Sequence, residues 1–490
     1  MDSLDLDAPS RSTNFPVPPR KKRILSLADR LASERHRWIE RNRYFYRNDR
    51  QYMRFLIPEG VRVLDLGCGI GDLLAALEPS HGVGVDFSSA MVDEARRRYP
   101  QLEFHVGDIE DQTFINSMEG PFDYIVLSDV IGSLEDCQAT LESLHPLCHS
   151  DTRLVVAYYS NYWEWILKIA EAIHLKMPQE EQNFFSNDDI VGLMNLTDFE
   201  IVRLEWRQLV PRRLLFLGSL VNRYCATLPV VRRFCLRTYI VGRSVRHPKV
   251  PPKSATVVVP CRNERGNIEG AVSRMPQFCD DLEILFVEGH SSDGTLDEIY
   301  RVIEAHPQQD IKVIQQDGTG KADAVFKAFE QARGDVLMIL DGDLTMPPES
   351  LPKFWEALAS GKGEFINGTR LVYPVEGQEM RFLNYIANRV FALLFSWLLN
   401  QRFTDTLCGT KALTRKSYNR IKENRSYFGD FDPFGDFDLI FGAAKLNLRI
   451  VEIPIRYVPR TYGETQISRF RDGILLLKMV VFAYRKLKAF

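Results

Sequence analysis

The chain has 490 residues, more than one hydrophobic core usually serves, so two or three domains are expected. Its 45% hydrophobic and 26% charged residues are typical of a globular protein and exclude a wholly disordered one. The net charge of −3 argues against a broad nucleic-acid-binding surface, which needs a basic excess. The 8 cysteines form no C-x-x-C pair or zinc spacing, and the N-terminus has no apolar signal segment. We therefore expect reduced thiols and a cytoplasmic protein that does not cross a membrane.

The first half of the chain has the pattern of an α/β domain. Residues 1–24, rich in proline and then in basic residues, are predicted to be a disordered tail, followed by a helical stretch from Ile24 to about Phe55. Short apolar strands then alternate with helices, which predicts a parallel sheet covered on both faces, in a domain over residues 25–245. The predicted strands are Val61-Leu66, Gly82-Val85, Leu102-His105, Tyr124-Leu127, Leu154-Ala157 and Tyr239-Val241.

A second alternation begins after residues 246–254, a proline-rich polar stretch that is predicted to be a linker. It predicts another α/β domain, over residues 255–490. Because the two halves share no repeated motif, they indicate a fusion rather than a duplication. The strands predicted here are Thr256-Val259, Glu283-Val287, Ile311-Ile314 and Val336-Leu340.

A glycine-rich loop follows the first predicted strand. The run from Asp65 to Asp72 contains Gly67, Gly69 and Gly71, and glycines let the backbone approach a ligand closely. Asp86 ends the next strand, at the interval expected for a ribose-binding carboxylate. A dinucleotide site is the alternative, but its G-x-G-x-x-G fingerprint requires glycine where this chain has Asp72. A carboxylate at this position would repel the pyrophosphate of a dinucleotide, whereas it would attract a ligand with a cationic sulfonium.

This region resembles the class I methyltransferases, which have a Rossmann-like fold and use S-adenosylmethionine. The resemblance covers roughly residues 40–245 and rests on the glycine loop, the Asp86 strand, and the segments that contain Asp108, Ile109 and Asp129. It implies a cofactor site formed by these residues together with Asp65. No catalytic base is evident, and Asp129, His145 and Tyr158 are candidates by placement alone. A folded domain that binds the cofactor without turnover, or acts as a scaffold, is the alternative.

Three predicted strands of the second half end in acidic or polar residues. Asn263 and Glu264 follow the first, Glu288 and Asp293 end the second, and the third closes on Asp341-Gly-Asp343. Ligands of open α/β sheets collect at the carboxyl ends of the strands, so these residues predict one crevice. Two carboxylates there can hold Mg²⁺ or Mn²⁺, which would neutralise a departing diphosphate. An exposed D-G-D turn without a ligand is the alternative.

In this order the motifs resemble family 2 glycosyltransferases of the GT-A fold, especially dolichyl-phosphate mannose and glucose synthases, over essentially all of residues 255–490. The resemblance implies that Asp341 and Asp343 hold the metal and the nucleotide. The family commonly has paired aspartates where this chain has Glu288-Gly289. The residues implied to line the nucleoside pocket are Pro260, Asn263, Glu264, Glu288 and Asp293. Those implied to contact phosphate or sugar are Lys321 and Arg370, and those in a closing C-terminal loop are Arg460 and Glu464.

The same resemblance implies an inverting transfer from a nucleotide sugar to a polyprenyl-phosphate or glycan acceptor. Many family 2 enzymes need an acid as catalytic base, and Asp436 is the candidate; a carboxylate at a helix terminus is the alternative. A lipid-phosphate acceptor would need no base because it is already ionised.

Two apolar segments with basic neighbours, Arg381 to Asn400 and Leu475 to Leu487, suit helices that lie in a lipid interface. A buried or dimer-forming helix is the alternative. The sequence thus predicts a bifunctional enzyme of glycan or glycolipid assembly, peripheral to a membrane, and it predicts no oligomeric state.

Overall fold

The computed structural model describes residues 18–180, 182–213, 217–247, 250–373, 382–429, 437–463 and 469–490. Within these ranges the chain forms two tandem α/β domains, each built on a seven-stranded sheet. The last strand of the first sheet ends at Ser244, and the second sheet begins at Ser254, the residue predicted to end the linker.

The first sheet has the order β3-β2-β1-β4-β5-β7-β6. Its first five strands are parallel and largely buried, since helices cover both faces. The sheet is mixed rather than wholly parallel, because β7 is antiparallel to β5 and to β6. The strands are β1 Arg62–Leu66, β2 His81–Asp86, β3 Glu103–Val106, β4 Tyr124–Ser128, β5 Arg153–Tyr159, β6 Phe199–Arg207 and β7 Arg237–Ser244.

The helices of the first domain connect these strands and cover the sheet. A π-helical turn, Val221–Cys225, and a 3₁₀ turn, Val231–Phe234, follow the last of them. The helices are α1 Pro19–Arg41, α2 Arg43–Leu56, α3 Asp72–Ala76, α4 Ser89–Arg98, α5 Gln112–Asn116, α6 Cys137–Ser143, α7 Glu164–Ala172, α8 Asn187–Leu196 and α9 Leu217–Leu220.

The N-terminal segment differs from its prediction. Helix α1 begins at Pro19, so residues 19–24 are helical rather than disordered; residues 1–17 lie outside the described residues. The basic residues of this turn have partners that the local sequence does not reveal. Arg20 donates to the carbonyl of Gly132 at 2.8 Å, and Lys21 lies 2.5 Å from Asp108. These contacts fix the first turn of α1 on the domain.

The second sheet has the order β10-β9-β8-β11-β13-β12-β14. Strands β10, β9, β8 and β11 are parallel, and β13 runs antiparallel to both β11 and β12. The strands are β8 Ser254–Cys261, β9 Asp281–Glu288, β10 Asp310–Gln315, β11 Val336–Ile339, β12 Phe365–Thr369, β13 Lys411–Thr414 and β14 Ile450–Pro454.

The helices of the second domain are α10 Ile268–Ser273, α11 Thr295–Ala305, α12 Lys321–Gln331, α13 Leu351–Ala359, α14 Phe382–Leu399, α15 Arg415–Glu423, α16 Phe437–Lys445 and α17 Arg469–Leu487. In the part of the chain that the structure describes, no helix combines the length and the apolar character that a bilayer crossing needs.

The two domains share one apolar cluster and several buried polar contacts. The rings of Phe55 and Phe490 lie 4.3 Å apart, so the last residue of the chain packs against α2. Arg153 on β5 lies 2.6 Å from Glu364 of the second domain. On β6, Glu205 lies 2.6 Å from Lys488, and both side chains are fully buried. Because each charge is compensated across the interface, the domains pack as one unit.

Candidate functional sites

The first domain contains a cavity at the carboxyl ends of β1, β2 and β4. Its empty volume, including the open mouth, is about 1100 Å³. Gly67, Gly69 and Asp86 line the base, as the sequence predicts. Its wall also includes residues of α1 and residues 177–180, which the sequence does not place at the site. The cavity is therefore partly covered by the N-terminal helix.

The glycine loop has the conformation that a close ligand requires. Gly67, Gly69 and Gly71 have positive φ angles of 79°, 52° and 79°. A Cβ at Gly67 would lie 2.1 Å from the side chain of Val130, whereas a Cβ at Gly69 would meet nothing within 4 Å. Gly69 therefore leaves open space in the cavity wall. Asp86 fixes the loop, because its carboxylate accepts from the amides of Gly69 and Ser88 at 2.9 and 3.0 Å.

Asp65 lies buried at the end of β1, and its Oδ2 accepts no hydrogen bond from the described residues. Burial, reinforced by the neighbouring charge of Asp86, raises the pKa of Asp65 to about 7. Asp65 does not line the cavity but lies behind Asp86 and the glycine loop, so the structure does not bring it to the cofactor as the resemblance implies. When bound, the cofactor would supply an activated methyl group, and Gly67, Gly69 and Asp86 would hold it.

The segment after β3 lies at the other side of the cavity. Asp108 lines it and pairs with Lys21, which also lies 2.6 Å from Glu110. Ile109 lines the cavity and is otherwise buried in the apolar core. Helix α1 thus closes over this side of the cavity.

Asp129 follows β4 and also lines the cavity, with a positive φ of 62°. Its carboxylate accepts from the guanidinium of Arg237, which is fully buried and also donates to Asp49 at 2.9 Å. Burial raises the pKa of Asp129, although Arg237 opposes that shift. Asp129 is thus held in place by an ion pair that the sequence does not predict.

The two other candidate bases are structural residues. His145 is buried, lies flat against Phe199 with ring centroids 4.3 Å apart, and contacts Ser244 and the carbonyl of Thr197. It is not among the residues that line the cavity. The hydroxyl of Tyr158 donates to the carbonyl of Asn183 at 2.7 Å. The placement argument is therefore wrong for His145, because its ring fills a pocket in the core.

The prediction that the carboxylate of Asp72 faces the bound cofactor is also wrong. Its carboxylate accepts from the hydroxyl of Tyr99 at 2.5 Å and lies 3.5 Å from Arg98. Asp72 does not line the cavity, so its charge is compensated within the domain and does not face a cofactor. The absence of a glycine at this position still departs from the dinucleotide fingerprint.

We expect Gly69→Ala to weaken S-adenosylmethionine binding by roughly ten-fold or more, because the added methyl group enters the cavity. Titration calorimetry with the full-length protein measures the affinity. Gly60→Ala is the matched control: Gly60 also has a positive φ, 75°, and open space around its Cβ, but it does not line the cavity. Equal losses in the two variants would assign the effect to backbone strain and remove the cofactor from this cavity.

In the second domain, adjacent strands bring the predicted acids to one edge of the sheet. Cys261 at the end of β8 lies beside Glu288 at the end of β9, and the amide of Leu340 donates to Val258 on β8 at 2.9 Å. A Cβ at Gly342 would lie 2.7 Å from the carbonyl oxygen of Pro260. The Asp341-Gly342-Asp343 turn therefore packs directly on the end of β8, and only a glycine fits at its centre.

Asp341 is paired with Lys321, the first residue of α12, at 2.7 Å. Burial opposes ionisation of this carboxyl, but Lys321 with Lys411 and Arg370 nearby lowers the pKa of Asp341. A Cβ at Gly409 would lie 2.1 Å from the Asp341 carboxylate. The loop before β13 thus contacts the acid directly, and Asp341 carries a negative charge.

Arg460 connects the two ends of the crevice. Its guanidinium lies 2.7 Å from Asp343 and 3.3 Å from Glu264. Asp343 also accepts from the amide and hydroxyl of Thr345, at 3.1 and 2.8 Å. Next along the chain, the hydroxyl of Tyr462 donates to Asp293 at 3.2 Å. The C-terminal loop therefore contacts acids from the ends of β8, β9 and β11.

The remaining polar residues order the loops around the crevice. Glu288 accepts from the amide of Ser291 at 2.6 Å, and Asn263 accepts from the amide of Ser292 at 2.9 Å. The carboxylate of Asp293 accepts from the amides of Arg265 and Thr295. These bonds join the loops after β8 and β9, so the structure brings Asn263, Glu288 and Asp293 together as predicted.

Arg370, which the resemblance implies to contact phosphate or sugar, pairs with a buried acid of the chain itself. It forms a two-pronged ion pair with the buried Asp405, with distances of 2.7 and 2.8 Å. Lys411, fully buried, donates to the carbonyl of Cys408 at 2.6 Å. The sequence analysis identified neither Asp405 nor Lys411 as part of the site.

Two predicted residues, Asp436 and Glu464, lie outside the described residues. Within the described ranges, no group of three or more His, Cys, Asp or Glu side chains could hold a metal ion. Asp341 and Asp343 supply two carboxylates, so a divalent cation here would need further ligands, such as the oxygens of a diphosphate. The donor set fits a cation that binds together with a nucleotide rather than one held by protein alone.

Comparison with known proteins decides the family. Residues 256–421 match the family described as glycosyl transferase family 2, and residues 38–204 match a methyltransferase domain. The dolichol-phosphate mannosyltransferase of Saccharomyces cerevisiae is 33% identical over 227 residues, which are 44% of this chain and 80% of that protein. The chain belongs to glycosyl transferase family 2. It is a glycosyltransferase fused to an N-terminal methyltransferase domain.

Two further comparisons concern one domain each. The dolichol-phosphate mannosyltransferase of Pyrococcus furiosus is 34% identical over 239 residues, 48% of this chain and 63% of that protein. A solved S-adenosylmethionine-dependent methyltransferase from Thermotoga maritima is 18% identical with a TM-score of 0.36, covering 45% of this chain and 99% of that one. The predicted fold, a Rossmann-like methyltransferase domain followed by a GT-A domain, is confirmed.

Proposed function

We propose that the C-terminal domain transfers a sugar from a nucleotide-sugar donor to a polyprenyl-phosphate acceptor, with the help of Mg²⁺ or Mn²⁺. The N-terminal domain then methylates a substrate of the same glycolipid assembly. The observation that carries the first part is the crevice in which Lys321 and Arg460 pair with Asp341 and Asp343. Two cations and two carboxylates that meet at one edge of the sheet are complementary to a diphosphate and its divalent cation.

The ion pairs of the crevice suggest how the donor is bound. A diphosphate that carries a divalent cation can exchange with both pairs at once, since the phosphates attract Lys321 and Arg460 and the cation attracts Asp341 and Asp343. Glu288, Asp293 and Asn263 then lie on the side of the nucleoside. The divalent cation would neutralise the charge that develops on the leaving diphosphate. The loop of Arg460 lies across the crevice, where it excludes water from the reacting sugar.

A lipid-phosphate acceptor suits this site because its nucleophile is already ionised and needs no general base. The names of the yeast and Pyrococcus relatives point to the same acceptor class. The helices α14 and α17 support an acceptor held at a membrane surface. Their exposed apolar side chains, each at least 49% exposed, are Val390, Leu393, Ile474, Leu477 and Val481.

A second function for the first domain, cofactor binding without methyl transfer, has an observation in its favour. Two of the three candidate bases, His145 and Tyr158, bond to backbone carbonyls and do not line the cavity. The third, Asp129, lines the cavity but is held in an ion pair by Arg237. An acceptor that is already an anion would need no base. Formation of S-adenosylhomocysteine with the glycosylated product as acceptor distinguishes an enzyme from a sensor.

The direct test is a screen of nucleotide sugars with a short-chain polyprenyl phosphate, with and without Mn²⁺. We expect transfer of one sugar to the lipid phosphate only when the cation is present. Release of the sugar to water alone would contradict the proposed acceptor. Transfer that continues unchanged in the presence of a chelator would contradict the proposed metal. Methyl transfer from labelled cofactor is measured in the same reactions, so the two domains are tested separately.

A further inference from the structure

We propose that the first domain contributes to a bilayer-docking surface through residues 217–234, which continue the exposed apolar face of α14 and α17. This inference rests on the proposed lipid-phosphate acceptor. Its new element is that the methyltransferase domain binds the same membrane surface. The segment comprises α9, the π-helical turn and the 3₁₀ turn before β7.

Residues 217–234 expose an unusual amount of apolar surface. Six large apolar side chains are each at least 41% exposed to solvent, although the segment is only 18 residues long. Apolar side chains that cluster in this way mark an interaction surface, whereas scattered single ones need no explanation. These side chains are Leu217, Leu220, Tyr224, Leu228, Val230 and Phe234.

The segment is attached to the two helices of the second domain. The indole of Trp397 on α14 donates to the carbonyl of Thr227 at 2.8 Å, and the hydroxyl of Tyr484 on α17 donates to the backbone carbonyl of Tyr224 at 2.8 Å. The guanidinium of Arg223 donates to the carbonyl of Ala489 at 2.8 Å. These bonds fix the segment against α14 and α17, so the exposed side chains of the three elements border one another.

On α17 the exposed positions follow a helical repeat. Ile474, Leu477 and Val481 are exposed on one side with Lys478 and Arg485, while Leu476, Met479 and Ala483 are buried on the other. A helix that presents apolar and basic residues together to the outside suits the interface of a bilayer, where the apolar groups enter the acyl region and the cations meet phosphates.

The charge of the surface identifies its occupant. Among the side chains of residues 217–234, α14 and α17 that the structure describes, the exposed charged ones are all cations, although the whole chain has a net charge of −3; they are Arg223, Arg233, Arg389, Lys478 and Arg485. A second copy of the chain would place this basic surface against itself, which costs repulsion in a two-fold dimer. A membrane that contains anionic lipid attracts these exposed cations, so we assign the surface to such a bilayer.

Flotation of the full-length protein with lipid vesicles tests the assignment. We expect binding to phosphatidylcholine vesicles that contain phosphatidylglycerol, weaker binding to phosphatidylcholine alone, and release at high salt. Val230→Glu with Phe234→Glu should lower the partition coefficient by roughly ten-fold or more, because two apolar anchors become anions. Leu196→Glu with Tyr300→Glu, which replaces equally exposed apolar residues on α8 and α11, should bind like the wild type.

A second double variant, Leu477→Glu with Val481→Glu, tests membrane binding by α17 separately from membrane binding by the first domain. If it loses vesicle binding while the Val230 and Phe234 variant does not, the first domain takes no part and the proposed acceptor stands. If light scattering shows a dimer that the Val230 and Phe234 variant dissociates, the surface is a contact between copies and the bilayer assignment is wrong. Calorimetry with S-adenosylmethionine, expected to be unchanged, verifies that the variants are folded.

Discussion

Replacing Asp343 with Asn should reduce sugar transfer by roughly 10²–10³-fold, the cost of removing one charged group that stabilises the transition state. Asp343 binds Arg460 through Oδ2 and Thr345 through Oδ1. The amide of Asn can keep the Thr345 bonds, so the turn should survive while the negative charge is lost. Initial rates with a short-chain polyprenyl phosphate, at several Mn²⁺ concentrations, measure the effect.

The matched control is Asp280→Asn, the same chemical change at an exposed position before β9. It should leave the transfer rate and its cation dependence unaltered. If Asp343→Asn keeps the wild-type rate, the crevice at the ends of β8, β9 and β11 is not the donor site. A rate that falls equally with Asp280→Asn would indicate a general effect of charge instead.

The crevice could be predicted from sequence because it depends on a local rule. Apolar strands that are parallel and adjacent place their carboxyl ends at one edge, so Glu264, Glu288 and Asp341 had to lie near one another once the strand order followed β9-β8-β11. The same rule located Asp86 beside the glycine loop. Residues immediately after a buried strand are therefore the part of a site that a single sequence reveals.

Contacts between distant segments could not be predicted. Arg237 and Asp129 are 108 residues apart, and nothing in either local sequence indicates that one holds the other. Arg153 and Glu364 are 211 residues apart and belong to different domains. Strand β6 was missed for a related reason, because Arg203, Glu205 and Arg207 give it a polar appearance, yet all three are buried at the interface with the second domain.

These interface charges lead to the prediction with the largest effect on stability. Lys488→Met should lower the free energy of unfolding by about 3–5 kcal/mol, because it leaves Glu205 charged and fully buried without its partner. Burial opposes both charges of the pair: it lowers the pKa of Lys488 to about 7, whereas Lys488 and Arg207 overcome the effect of burial on Glu205 and lower its pKa to about 2. The 2.6 Å contact between the two groups supports the ionised pair. Urea unfolding followed by fluorescence measures the loss.

The double variant Glu205→Gln with Lys488→Met shows whether the stability lost in Lys488→Met comes from the unpaired charge of Glu205 or from lost packing. Neutralising both partners removes the buried anion, and the amide of Asn400, which donates to Glu205 at 2.5 Å, can still bond the Gln. We therefore expect the double variant to recover most of the stability that the single variant loses. Lys362→Met, which removes an exposed lysine 4.0 Å from Glu356, should leave the unfolding curve unchanged. If Lys488→Met unfolds like the wild type, this ion pair does not hold the fused domains together, and the shared apolar cluster and the other contacts between the domains do so.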